Sequence, residues 1–313
     1  MDSTTDHQIA QAVTRMGPHL LRAVSASPRS AKVVQATFSL PGVGGRGGGL
    51  NPSVVGTLLA TWAEQIALVG ADAHDVPDAH AQRLVDAARA GFDVLEPLVV
   101  ATVRALDGAA QRALLITLAE HLTGDVLPLL GGLHAVQRVN GWLYDSPSPP
   151  PTARERVQAT VVSTLVAAHA AGNHPLAEHV LTTTATRPDG REVLASMFGW
   201  LVRVAVIVLD TAHGHRPPTD PSDPRLPDPT VDPALPDPPD TAYDAARRAI
   251  TAVTADQPAA VLGNARAIAA LSTPSLAAVV RYAAVTVARS VHAAGWHTDR
   301  EASEFLDPDT GQP

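Results

Sequence analysis

A glycine-rich loop is the first stretch of this chain whose residue types could do chemistry. Residues 42–49, GVGGRGGG, hold the spacing GxGxxG, follow a predicted strand and precede a predicted helix. Glycines let a backbone approach a phosphate closely, and a helix N-terminus supplies free N–H groups. The loop therefore predicts a phosphate- or nucleotide-binding site at Gly42, Gly44, Arg46 and Gly47.

The surroundings of this loop also allow two other interpretations. No acidic ribose ligand follows at the expected distance, no second strand completes a βαβ unit, and the GK[ST] ending of a phosphate loop is missing. Glycine runs are common flexible connectors. The same residues, with an arginine among glycines, also suit an RNA-contacting segment. Anion site, connector and RNA contact stay open as alternatives.

A second candidate is the His/Asp-rich stretch DAHDVPDAH at residues 72–80. Imidazole and carboxylate groups at this density suit a divalent metal, with His74, Asp75, Asp78 and His80 as ligands. The stretch is also predicted to join a loop to a first helical turn. Carboxylates there commonly cap the helix and complement its dipole. Metal ligation and capping are both compatible with the pattern.

The motif HAAGxH occurs twice, at residues 169–174 and 292–297, each followed by a glutamate at the matching position. As a structural motif it predicts a helix end at which the first histidine meets the negative dipole end. Gly172 would then adopt a positive φ, and His174 would start the next helix. As a functional motif it predicts a histidine pair that titrates near neutral pH or binds a metal.

Other catalytic patterns are missing from the sequence. The chain has no cysteine, which excludes disulfides, thiolate metal sites and a cysteine nucleophile. It also lacks G-x-S-x-G, S-x-x-K around Lys32, and the E-x-x-H of di-iron bundles. A metal- or His-dependent enzyme would need residues that meet only in three dimensions. No cofactor is predicted.

Composition narrows the class of protein. The chain has 22 arginines and one lysine, which we interpret as the codon bias of a GC-rich bacterium rather than as a nucleic-acid signature. The net charge of −8 argues against a general phosphate-backbone binder, so nucleic acid is not expected as a partner. The polar, acidic N-terminus is unlike a secretory signal. With no cysteine present, the cytoplasm is the predicted location.

The most membrane-like stretch is residues 193–209, VLASMFGWLVRVAVIVL. As a helix it would reach about 25 Å, less than the roughly 30 Å of a bilayer core. Arg203 near its middle is costly in lipid. We therefore predict a helix buried in a bundle and no membrane association.

Cap and period signals predict a mainly α, multi-helix bundle-like protein. The predicted helices cover residues 52–70, 78–93, 95–106, 108–123, 133–143, 152–171, 175–186, 190–211, 242–255, 258–271, 274–294 and 299–306. One alternating segment, residues 32–40, predicts a strand. That strand would pair with another strand, with a partner or with a second copy in a homo-oligomer. The alternative is an extended segment lying across helices.

A Pro/Asp-rich tract at residues 216–240 contains ten prolines and six aspartates. Because proline disrupts helix and sheet and the aspartates repel one another, we expect a semi-rigid spacer without a fold of its own. It divides the chain into a basic N-terminal segment (1–50), a main helical domain (51–215), the linker (216–240), a small helical module (241–306) and a disordered tail (307–313). Two bodies joined by a spacer favour a non-enzymatic interaction or regulatory protein with a protein partner.

Overall fold

The computed structural model describes residues 13, 16–25, 50–70, 78–132, 152–214, 216–230, 232, 234–235 and 241–293. Within these residues the protein is mainly α, with eleven α-helices and no strand, which confirms the predicted fold class. The strand predicted at 32–40 and the helices predicted at 133–143 and 299–306 lie outside the described residues. In chain order the helices are α1 (16–25), α2 (Pro52–Val69), α3 (Ala79–Ala90), α4 (Phe92–Ala105), α5 (Gly108–His121), α6 (Ala153–Ala170), α7 (His174–Thr186), α8 (Gly190–Ala212), α9 (Ala242–Thr254), α10 (Pro258–Ala269) and α11 (Thr273–Ala293).

Side-chain caps explain where several of these helices begin. Asn51 accepts a hydrogen bond from the Ser53 amide ahead of α2, with proline at the first helical position. Thr152 and Glu155 form a reciprocal capping box at the start of α6, as the sequence predicts. Local sequence thus sets these helix starts, while packing holds the helices together.

One hydrophobic core joins helices from both sides of the Pro/Asp-rich tract. Buried residues of α2, α6 and α8 belong to the same cluster as buried residues of α9 and α11. Helix α11 packs along α8 and also contacts α6, and α9 contacts α8. The described part of residues 241–306 therefore lies against the main helical body instead of being held away from it. The predicted domain boundaries themselves stay predictions.

The described part of the tract differs from the expected spacer. Leu226 and Leu235 are each 2% exposed and are members of the same core cluster as the helices. Proline does break helices and sheets, as expected, but Asp-Pro-x is also a turn signal. A chain of such turns can bring the two leucines of the tract into the core.

Three helical stretches of the described residues are long and apolar enough to cross a membrane by length and composition: Pro52–Val69, Gly108–Leu130 and Gly190–Asp210. In the first and third, most residues are buried inside the protein, and in the second less than half are. Arg203 of the third is exposed, with its guanidinium carbon 4.9 Å from the centre of the Trp200 ring. The cytoplasmic location and the absence of membrane association remain predictions.

Candidate functional site

In the described part of the tract, one local turn occurs four times. In each Asp-Pro-x step the aspartate carboxylate accepts a hydrogen bond from the amide two residues later, at 2.8 to 3.0 Å. The turns begin at Asp220, Asp223, Asp228 and Asp232. Proline in second place presets φ, and an aspartate side chain in first place mimics a backbone acceptor. The backbone therefore needs neither helix nor strand to be ordered.

Two leucines anchor this string of turns to the helices. Leu226 and Leu235 are almost fully buried, and Ala234 beside the second is 8% exposed. Burying a leucine side chain contributes roughly 1.5–3 kcal/mol relative to leaving it in water. The buried leucines therefore attach the tract to the helices, and the turns set its backbone conformation.

Helices α9 and α11 provide the polar contacts to the tract, and we call the surface that carries Arg247, Tyr282 and Arg289 the tract groove. The carbonyl of Pro227 accepts hydrogen bonds from Arg247 Nη2 at 2.7 Å and from the Tyr282 hydroxyl at 2.9 Å. Arg247 Nε in turn donates to that hydroxyl at 2.8 Å. Burial raises the pKa of Tyr282 to about 12, so the phenol keeps the proton that it donates.

A charged contact lies further along the groove. Arg289 Nη2 is 2.6 Å from Asp232 Oδ2, and the Asp232 side chain is 3% exposed while that of Arg289 is 51% exposed. The other oxygen, Oδ1, accepts the Ala234 amide. One carboxylate therefore closes a turn and pairs with a helix at the same time.

A partly buried polar cluster adjoins the groove at the turn between α6 and α7. Arg281 of α11 pairs with Glu178, with Nη2 to Oε2 at 2.5 Å. The rings of His169 and His174 lie 5.8 Å apart between centres. Burial first, and then the nearby His174 and Arg281, lower the pKa of His169 to about 3. His169 is therefore neutral at physiological pH.

This cluster contains the first copy of the HAAGxH motif, whose backbone matches the structural interpretation, whereas the neutral His169 has no charge to meet the helix dipole. Gly172 has a φ of 71°, and His174 is the first residue of α7. Neither ring nitrogen of His169 has a hydrogen-bond partner among the described residues. The second copy, residues 292–297, lies mostly outside the described part of the chain.

The predicted metal ligands are only partly described. Asp78 caps α3 by accepting the amides of His80 and Ala81, and His80 is exposed. His74 and Asp75 lie outside the described residues. Among the residues that are described, no group of three or more His, Asp or Glu side chains could hold a metal ion.

The predicted phosphate-binding residues Gly42, Gly44, Arg46 and Gly47 also lie outside the described residues, as does the whole 42–49 loop. The anion, connector and RNA interpretations of this loop therefore stay predictions.

A buried ionic network between α2 and the turn after α7 has no counterpart in the sequence patterns. Arg187 donates to Glu64, and its Nε lies 3.3 Å from Asp189 Oδ1. Asp189 Oδ2 accepts the Phe92 amide at the start of α4. Burial raises the pKa of Glu64, and Arg187 opposes that rise. No spacing rule joins residues 123 positions apart, so the sequence carries no signal for this network.

Comparison with known proteins found no matching family model, no matching curated protein and no matching solved structure.

Proposed function

We propose that this protein is a non-enzymatic, cytoplasmic interaction protein, an adaptor that binds an extended, acidic, proline-rich segment of a protein partner in the tract groove. Its own Pro/Asp-rich tract occupies the groove in cis. The observation that carries the proposal is the Pro227 carbonyl, which accepts two side-chain hydrogen bonds from α9 and α11.

The chemistry of the contacts supports recognition of an extended chain. Side chains of the groove are directed at a main-chain carbonyl, which any segment of suitable shape can offer. Thr254 Oγ1 adds a second contact of this kind, donating to the Pro218 carbonyl at 2.5 Å. Proline-rich segments suit such a surface because they are extended before binding and lose little conformational entropy.

The position of the tract supports exchange of the occupant. The described turns close through their own aspartates, so the segment keeps local hydrogen bonds when it leaves the groove. The helices keep their internal hydrogen bonds as well. Release exposes the two buried leucines together with Pro218, Pro227 and Ala234, and it breaks a few side-chain hydrogen bonds and one partly exposed ion pair.

A peptide added in trans tests the proposal. A tethered segment competes at an effective concentration in the millimolar range, so the cis tract must first be weakened. The Leu226→Ala/Leu235→Ala variant removes both anchors from the tract and leaves the groove unchanged. We expect a labelled peptide of residues 216–240 to bind the full-length variant at least about tenfold more tightly than the wild type.

Trypsin provides the check that the tract has been released. The bond after Arg225 is the only cleavable site between residues 217 and 240, because trypsin cuts after basic residues. Faster cleavage there in the double variant establishes release once each rate is divided by that of the free peptide of the same sequence, since Leu226 directly follows the cleaved bond. Adding Arg247→Ala to the double variant should then abolish peptide binding, with circular dichroism verifying that the helices persist. A scrambled peptide of equal charge is the matched control.

The decisive negative result is a folded double variant with a released tract that does not bind the peptide. That outcome would mean that the groove only packs against the protein's own tract and does not bind a partner segment.

A further inference from the structure

The four Asp-Pro turns that the structure describes in the tract are not equivalent. Asp220, Asp223 and Asp228 use their carboxylates for turn closure, with Ser222, Arg225 and Thr230 as the partners within the tract. Asp220 and Asp228 are exposed. Asp232 alone among the four is both buried and paired with a helix, through Arg289.

Arg247 and Tyr282 of the groove share one main-chain acceptor in the tract. Pro227 is buried, and its carbonyl takes both groove donors. Because proline has no N–H, burying it here leaves no backbone donor without a partner. A residue with an amide at this point would need another acceptor in the groove.

We propose that the groove selects partner segments with the pattern L-P-x4-D-P-x-L, the spacing of Leu226, Pro227, Asp232 and Leu235 in the tract. This inference rests on the proposed function and names the partner class. The leucines fill the apolar sites, the proline carbonyl binds Arg247 and Tyr282, and the aspartate binds Arg289. Arg289 is the specificity-determining residue for the aspartate.

Charge complementarity supports a partner of this kind. The Arg289 guanidinium keeps its positive charge at physiological pH, and the side chain is half exposed. The Asp232 carboxylate is nearly fully buried, and a buried carboxylate without a partner is costly. A segment with an uncharged residue at this position leaves Arg289 without its counter-charge.

Asparagine substitutions in the peptide separate charge recognition from turn formation. Asparagine keeps the side-chain oxygen that closes the turn but removes the negative charge. Measured on the Leu226→Ala/Leu235→Ala variant, the Asp232→Asn peptide should bind at least about tenfold more weakly than the parent peptide. The matched Asp228→Asn peptide loses the same charge and should bind within about twofold, since single exposed charges contribute little.

A charge reversal then tests the assignment to Arg289. An Asp232→Arg peptide should lose binding to the double variant and recover part of it when the variant also carries Arg289→Glu. The parent peptide should bind the Arg289→Glu form poorly. Recovery requires that the two positions meet in the bound state, which a general loss of folding cannot imitate.

Three outcomes would overturn the pattern. Equal losses for Asp232→Asn and Asp228→Asn would show recognition of overall charge, with the proposed function intact. Failure of the charge reversal, with both proteins folded, would remove Arg289 from the recognition. A dimer of the double variant that excess peptide does not dissociate would identify a second copy of the chain as the occupant. Failure of every peptide to bind would instead contradict the proposed function.

Discussion

The Glu64–Arg187–Asp189 network and the tract groove both join segments far apart in the chain, but at different depths. The side chains of Arg187 and Glu64 are 4% and 0% exposed, whereas the groove pair is buried on one side only, with Asp232 3% exposed and Arg289 half exposed. Breaking the first leaves a charge in the interior, and breaking the second returns its groups to water. The inner network therefore fixes the helices, while the outer contacts hold a segment that can leave.

The inner network should show the largest effect. Arg187→Ala leaves the buried Glu64 carboxylate without its partner and opens the contact to Asp189. We expect a loss of about 3–5 kcal/mol in the free energy of unfolding. Urea denaturation followed by circular dichroism measures it.

The control for this variant is Arg83→Ala, which truncates an exposed arginine of α3 and should change stability by less than about 0.5 kcal/mol. If Arg187→Ala costs no more than that control, the interior tolerates the unpaired carboxylate and the contrast between the two networks disappears.

His169 offers a third case, because its side chain is buried like the inner network but carries no charge. Its pKa is lowered from 6.5 to about 3 in the folded protein, first by burial. Protons therefore bind the unfolded state preferentially, and stability falls as the pH drops from about 6.5 towards 3. At pH 5 this single group should remove about 2 kcal/mol relative to pH 7.5.

The measurement is the free energy of unfolding of the wild type and His169→Gln at several pH values. The glutamine variant should lose this part of the pH dependence, although it is less stable overall. His179→Gln, at an exposed position of α7, is the control and should keep the wild-type slope. Identical slopes in all three proteins would mean that His169 titrates normally.

The groove should respond locally rather than globally. Tyr282→Phe removes the hydroxyl that donates to the Pro227 carbonyl and accepts from Arg247, at a cost of about 1 kcal/mol. Because the tract can leave alone, trypsin cleavage after Arg225 should accelerate about fivefold. The urea midpoint should change little.

Ser290→Ala is the matched control, since this hydroxyl lies on the same helix and donates to the Thr286 carbonyl, away from the tract. Its cleavage rate should equal that of the wild type. A Tyr282→Phe protein that unfolds globally before it is cleaved would show that the tract is as firmly held as the core.

The same contrast in depth explains how much of the structure can be predicted from the sequence. Caps and periodicity predict α2, α6 and α8 to within one or two residues, because helix signals are local. The Asp-Pro-x turns are equally local. The tract is nevertheless predicted to be a spacer when its prolines are interpreted only as residues that disrupt helices and sheets and not as turn formers. The pairs Arg187 with Glu64 and Arg289 with Asp232 depend on packing between distant segments, which no spacing encodes.

The smallest effect should come from a turn whose aspartate does not contact the groove. Asp223 accepts hydrogen bonds from the backbone amide and the guanidinium of Arg225, and the guanidinium bond lowers the pKa of this carboxyl to about 2. A lowered carboxyl pKa contributes stability above the unfolded value near 3.8, and this contribution is lost as the pH falls towards 2.

Because Arg225, the partner of Asp223, is an exposed arginine, loss of this ion pair should cost well under about 1 kcal/mol. Hydrogen exchange at the Leu226 amide, which donates to the Asp223 carbonyl, reports the closure of this turn. Asp223→Ala should exchange faster than the wild type, and Asp223→Asn should lie between them because it keeps the turn acceptor but loses the charge. If both variants exchange alike, the ion pair with Arg225 closes the turn and the neutral side-chain acceptor does not. That result would contradict the assignment of turn closure in the tract to the side-chain oxygen.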